Sequence, residues 1–276
     1  MHRSRRRGSS VEFADHRAYV PGDDLRRIDW NAYARLEELV LRLHVAEDEL
    51  RLYVLIDASA SMAFGDPTKL ELAQRLAAGL SYVALHGGDR VAVHVLGVEG
   101  SERARGRQGV PRVLRAIERM TAGGPTALME SVERFLRQKA RPGLVVLLSD
   151  WMDFQGQGEY ASGDARAVAP GLQAVDRLLG ARFEVATFHL LARSELEPDL
   201  EGTQRVVDVE SGEAVDVHVD DALLREYDTR LRAFLGAAES HCARRGVSYV
   251  RLASDAPVER ALIAFLRGES TRALSP

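Results

Sequence analysis

The stretch Leu52-Tyr53-Val54-Leu55-Ile56-Asp57-Ala58-Ser59-Ala60-Ser61-Met62 decides the architecture. Mostly apolar residues run into a carboxylate, and two hydroxyls follow at alternate positions. So short an apolar run, bounded by polar turn residues, reads as a strand buried on both faces, as in a parallel sheet. Asp57 then stands where the strand ends. Open α/β sheets bind ligands beyond the carboxyl ends of their strands. A carboxylate and two hydroxyls offered there suit a hard cation such as Mg²⁺. Asp and Ser are also ordinary turn residues, because their side chains bond the local backbone. The two readings separate only with the rest of the chain.

Downstream, strands and helices alternate. Asp66-Pro67 reads as an N-cap and first helical turn, and Leu70, Ala73, Leu76, Ala77 and Leu80 follow at helical spacing. Residues 91–96 form the next strand, 102–109 a short edge element, and Val113, Leu114, Ile117 and Met120 an amphipathic helix. A helix through Leu128, Val132 and Phe135 precedes the buried strand 144–148. A Gly-rich loop at 155–164, a helix from Val168 to Leu179 and the strand 183–191 come next. Two segments, 205–209 and 214–219, read as a β-hairpin. A long helix through Leu223 to Ala238, the strand 247–252 and a helix from about Pro257 to Arg267 finish the chain. This order predicts an α/β fold: a doubly wound, mostly parallel central sheet with helices on both faces.

Upstream, the pattern changes. Charged residues interleave with Phe13, Tyr19, Ile28 and Trp30, and Pro21-Gly22 marks a turn. Leu39, Leu41, Leu43 and Val45 share one face of a strand. The expected division is an N-terminal arm and strand at 1–50, packed on a main domain at 51–276 that carries the hairpin insertion at about 204–219.

Composition excludes several functions. With 37 basic against 41 acidic residues the net charge is −4, which gives no reason to expect nucleic acid as partner. The single cysteine, Cys242, rules out an intramolecular disulfide or a Cys-rich metal site, and its apolar register marks a buried structural thiol. No run approaches the ~20 apolar residues that cross a bilayer. Arg3, Arg5, Arg6 and Arg7 lack a following apolar segment, so the start reads as a solvated tail rather than a signal peptide. The expected setting is cytoplasmic, without direct membrane insertion. The scattered histidines read as core or surface residues.

Three loops carry the chemistry. Asp57, Ser59 and Ser61 lie on one, Thr126 follows the Gly123-Gly124-Pro125 turn, and Asp150 ends the strand 144–148. Right-handed crossovers bring the ends of parallel strands to one edge, so the three can converge. Ser59, Ser61 and Thr126 are the expected direct ligands of Mg²⁺, with Mn²⁺ or Ca²⁺ as substitutes. Asp57 and Asp150 would coordinate directly or hold ordered waters. Thr126 could equally cap its helix, and Asp150 the turn after its strand. Trp151, Met152 and Phe154 form either an apolar docking rim or part of the core.

Asp57-x-Ser59-x-Ser61, Thr126 after two glycines, and Asp150 after a hydrophobic strand resemble the metal-ion-dependent adhesion site of von Willebrand factor type A domains. The arm is similar to the bacterial family known as domain of unknown function 58, through Glu12-Phe13, Arg17-x-Tyr19, Pro21-Gly22-Asp23-Asp24, Arg26-x-Ile28-Asp29-Trp30 and Ala34-Arg35. The resemblance implies a von Willebrand-like fold without established catalytic activity. It also implies a chaperone-like or assembly role beside a MoxR-type AAA+ ATPase. Members often carry a longer N-terminal region; this chain begins almost at the arm, as a short soluble member or a trimmed one would.

The leading expectation is a non-enzymatic binding module whose cation captures a carboxylate of a protein partner. One alternative is a Mg²⁺-dependent phosphohydrolase with Asp57 as nucleophile. Ser59 stands where such enzymes need a second acid, and Lys69 and Lys139 fall within predicted helices rather than on the matching loops. A metal-free scaffold is the third reading.

Overall fold

A computed structural model describes residues 13–20, 23, 28–30, 32–33, 38–44, 50–125, 127–152, 169–209 and 212–268. The Arg-rich tail, the Pro21-Gly22 turn, the 155–164 loop and Phe154 lie outside the described residues. The chain forms two compact units, Met1–Glu49 and Leu50–Pro276.

In the first unit, β1 (Phe13–Ala18) pairs antiparallel with β2 (Val40–His44), with Arg17 opposite Leu41. The Tyr19 amide donates to the Leu39 carbonyl at 2.8 Å, extending the ladder. The strand expected at 39–45 is therefore present. Its partner was not evident, because Phe-Ala-Asp-His-Arg-Ala has no apolar alternation, and only pairing with β2 makes it a strand.

The second unit runs β3 (Arg51–Ile56), α1 (Lys69–His86), β4 (Arg90–Val95), β5 (Glu102–Arg105), α2 (Val110–Glu118), α3 (Leu128–Arg137), β6 (Leu144–Ser149), α4 (Ala169–Gly180) and β7 (Glu184–Leu191). There follow the short α5 (Arg193–Leu196), β8 (Gly202–Val207), β9 (Ala214–Val219), α6 (Asp221–Arg245), β10 (Ser248–Ala253) and α7 (Val258–Arg267). Six strands form one sheet in the order β10-β7-β6-β3-β4-β5, parallel except for the edge strand β5. β8 and β9 form a separate hairpin, beginning three residues earlier than the segment read at 205–209.

Alternate residues leave the strands on opposite faces, and both faces are covered. Val54, Ile56, Val146 and Leu148 pack with α1, α2 and α7, whereas Leu55, Val145 and Leu147 pack with α3, α4 and α6. That is the doubly wound, mostly parallel sheet expected. From β3 the chain first goes to β4 on one side and later to β6 on the other. This reversal opens a crevice at the carboxyl ends of β3 and β6, the usual place for a ligand.

One helix start differs from expectation. The N-cap of α1 is Thr68, not Asp66. Thr68 Oγ1 accepts from the Glu71 amide at 3.1 Å, and Glu71 returns a carboxylate to the Thr68 amide at 3.0 Å. This reciprocal box satisfies two orphan amides, which a single Asp side chain before proline could not.

Candidate functional site

Three turns approach one another beyond β3 and β6. The Asp57 amide donates to the Leu148 carbonyl at 2.9 Å, so the last rung between the strands lies at the site itself. The second loop lies against the first: the Gly123 amide donates to the Ala58 carbonyl at 2.8 Å, and the Ala60 amide to the Gly124 carbonyl at 2.9 Å. Thr126, expected as a ligand two residues further on, lies outside the described residues.

Asp57 is 2% exposed and Asp150 fully buried. Asp57 Oδ1 accepts from the Ser59 amide at 3.0 Å, and Oδ2 accepts from the Ser149 hydroxyl at 2.6 Å. The Ser59 and Ser61 hydroxyls stand 3.1 Å apart. Burial, and then the charge of Asp150, push the Asp57 carboxyl up to about 6, and the bonds from Ser149 and Ser59 offset part of that rise. The structure thus brings Asp57, Ser59, Ser61 and Asp150 together at the carboxyl ends of β3 and β6.

Ser149 was missed as a site residue. Its hydroxyl donates to Asp57 and accepts from the Trp151 amide at 2.9 Å, joining two of the turns. In sequence it was only the last residue of a strand. His189, opposite Ser149 on β7, bonds the Asp150 carbonyl through Nε2 at 2.9 Å. A carbonyl only accepts, so Nε2 carries the proton and Nδ1 accepts from the Tyr249 hydroxyl at 2.7 Å. Burial holds His189 down at about 4, hence neutral.

The rim reading of Trp151 needs correction. Trp151 is fully buried, has φ +60°, and stacks on His189 with ring centroids 5.4 Å apart. Gly171 makes room for it, since a Cβ there would lie 2.8 Å from the indole. Trp151 is a floor beneath the Asp150 turn. Cys242 is buried as expected, and burial pushes its thiol up to about 12.

Lys69 is the larger surprise. As the first residue of α1 it was set aside as helical, yet its side chain is fully buried. Its ammonium donates to Asp150 Oδ2 at 2.8 Å and to Glu195 Oε1 at 2.6 Å. Burial works against this charge, but Asp150 and Glu195 outweigh it and hold Lys69 above its ordinary value. Burial likewise holds the Glu195 carboxyl above its ordinary value, Lys69 offsetting part of it. A usable signal existed: Cα–Cβ bonds tilt toward a helix's N-terminus, so a first-turn lysine aims back at the strand ends. Nothing in the sequence marked Glu195.

The donor chemistry fits a hard cation. Two hydroxyls side by side and two carboxylates within electrostatic reach are oxygen ligands of the type Mg²⁺ takes. Among the described residues no three His, Cys, Asp or Glu side chains gather closely enough to hold a metal by themselves, so the hydroxyls are needed. A cavity of about 510 Å³ opens elsewhere, at the amino ends of β3 and β4, and none of these residues lines it.

The model of the family described as "Protein of unknown function DUF58" matches residues 15–234. The chain belongs to the DUF58 family. Uncharacterized proteins of Mycobacterium tuberculosis and Mycobacterium bovis are 30% identical over 229 residues, covering 80% of this DUF58 chain and 67% of each relative. Among solved structures, the conserved hypothetical protein BatB from Bacteroides thetaiotaomicron is similar with a TM-score of 0.46 and 14% identity, over 82% of this chain and 100% of that one. The VWA domain of SpRpn10 is similar with a TM-score of 0.41 and 11% identity, over 79% of this chain and 95% of that one. These likenesses are distant, and the architecture rests on the strand order and register above. No described helix is long and apolar enough to cross a membrane.

Proposed function

We propose that this DUF58 chain is a protein-interaction module rather than an enzyme. In this reading it holds a divalent cation, Mg²⁺ in the first place, in an adhesion-type site, and captures an acidic group of a protein partner. One observation carries it: the Ser59 and Ser61 hydroxyls stand 3.1 Å apart beside a buried Asp57 that feels the charge of Asp150. Ser59 and Ser61 would hold the ion, Thr126 is the expected third hydroxyl, and Asp57 and Asp150 would supply negative charge directly or through water. A cation held mainly by neutral hydroxyls would keep most of its charge and would supply the attraction for a partner's carboxylate. A MoxR-type AAA+ ATPase is the partner that the family resemblance favours, in the cytoplasm and in an assembly role.

The test is thermal unfolding with and without Mg²⁺. A ligand that binds only the native state raises its stability, so the wild type gains melting temperature and Asp57→Ala does not. An Asp57→Ala chain stabilised as much as wild type overturns the assignment. Lys69 favours a second reading, the Asp57-dependent phosphohydrolase, since an ammonium does reach the end of β6. Ser59 in place of a second acid speaks against it, and turnover of a generic phosphoester by the pure protein decides.

A further inference from the structure

Lys69 and Glu195 belong to no part of the expected adhesion-type site, yet they are held as firmly as anything in it. The Thr68–Glu71 capping box fixes where α1 begins and so where the Lys69 stem starts. Asp150 places Oδ1 on the Met152 amide at 3.0 Å and Oδ2 on Lys69. Glu195 places Oε2 on the Ala192 amide at 2.7 Å and Oε1 on Lys69. The Tyr227 hydroxyl of α6 donates to the Glu195 carbonyl at 2.6 Å. Each carboxylate thus uses one oxygen on backbone and the other on the same ammonium. Lysine is almost never fully buried unless paired, and here two carboxylates accept from the one ammonium.

The consequence concerns cation affinity. A positive charge 2.8 Å from Asp150 Oδ2 neutralises the carboxylate that a dication would draw on. It also repels any dication seated beside Asp57, and the burial of Asp57, Asp150 and Lys69 leaves that repulsion weakly screened. We propose that Lys69 is an affinity-setting residue: its ammonium competes with the divalent cation for Asp150 and keeps the site's intrinsic affinity low. The ion is then held best once a partner's carboxylate adds the missing negative charge. This rests on the cation-binding reading above and goes beyond it by naming the residue that tunes the site.

The experiment is a Mn²⁺ titration followed by the electron paramagnetic resonance signal of the free ion, with folding checked by circular dichroism. Wild type is compared with Lys69→Met and with the double variant Lys69→Met/Glu195→Gln. The double variant removes one positive and one negative charge together and so keeps the net charge of the cluster, where the single change leaves two carboxylates uncompensated. The expected result is a Kd for Mn²⁺ lower by at least about tenfold in a folded Lys69 variant. Wild type that binds Mn²⁺, with a folded double variant that binds it equally or more weakly, overturns the role of Lys69 and leaves the cation site standing. Binding by neither overturns both. Binding by the variant alone supports the proposal in its strongest form, with the ammonium excluding the metal altogether.

Discussion

At the carboxyl edge of the sheet, Asp57, Asp150 and Lys69 have lost nearly all contact with solvent, and Lys69 and Asp150 have charged partners within 2.8 Å. At the amino edge of the same sheet, Arg51, Arg103 and Arg141 all lie near enough to bear on the Tyr53 phenol. They line an open cleft of about 510 Å³ together with Arg90, Arg105, Arg112 and Lys139, and no acidic side chain lines it. Arg112 reaches Glu102 at its margin, and Arg103 reaches the Gln138 side chain at 2.9 Å. One edge manages charge by burial with tight pairing, the other by exposure to water. The difference matters because an exposed pair is worth about 0–1 kcal/mol, whereas breaking a buried one costs about 3–5 kcal/mol. A chain of net charge −4 gathers seven cations around one open cleft, where water screens their repulsion and Glu102 pairs with Arg112.

The largest test of this contrast is Asp150→Asn. It leaves Lys69 buried with Glu195 as its remaining charged partner, and the expected loss is about 3 kcal/mol of unfolding free energy in urea, the upper end for a hydrogen bond to a charged group. That loss should change little between low and high salt, because the group is fully buried. A loss that salt removes would place the pair in water and erase the distinction between the edges.

A second test lies between the edges, at His94 on β4. Burial, and secondarily Arg103, hold His94 down at about 4 against an ordinary 6.5. As pH falls below 6.5 the unfolded chain takes up the proton first. The stability that depends on neutral His94 is therefore present above pH 6.5 and is lost as pH falls toward 4. The drop amounts to roughly 3 kcal/mol. Replacing His94 with Leu should remove its share of the slope between pH 6.5 and 4, read by urea unfolding of both chains at several pH values, while His189 and Asp57 contribute equally to the two profiles. An unchanged slope refutes the assignment.

The smallest effect belongs to the amino edge. Arg141→Gln removes one of the crowded cations while its backbone carbonyl still accepts from Tyr53. The expected change is a gain of no more than about 0.5 kcal/mol, visible at low salt and absent near 1 M, where the screening length falls to about 3 Å. A loss above 1 kcal/mol would mean that Arg141 is held by a specific bond.

Much of the architecture was legible because parallel strands buried on both faces must be mostly apolar. Leu52–Ile56, Leu144–Leu148 and Phe183–Leu191 announce themselves in that way. β1 was not legible, since its charged residues become a strand only beside β2. Within the site, Asp57, Ser59, Ser61 and Asp150 could be picked out because each ends or follows an apolar run. Ser149 and His189 looked like strand residues. Trp151 could be read either as a rim or as core, and burial against His189, with its amide on the Ser149 hydroxyl, decided for the core.

Sequence alone determined the alternation of strands and helices, the carboxyl-end placement of the acids and hydroxyls, and membership of a family that spans arm and domain. Those properties are local: they follow from periodicity and from which residues punctuate it. Only tertiary structure decided that β6 lies beside β3, that the Gly123–Gly124 turn rests on the Asp57 turn, and that Lys69 meets Asp150 and Glu195, respectively 81 and 126 residues away. Strand order and charge pairing across such separations depend on how the faces of the sheet are covered, and no short window of residues encodes that.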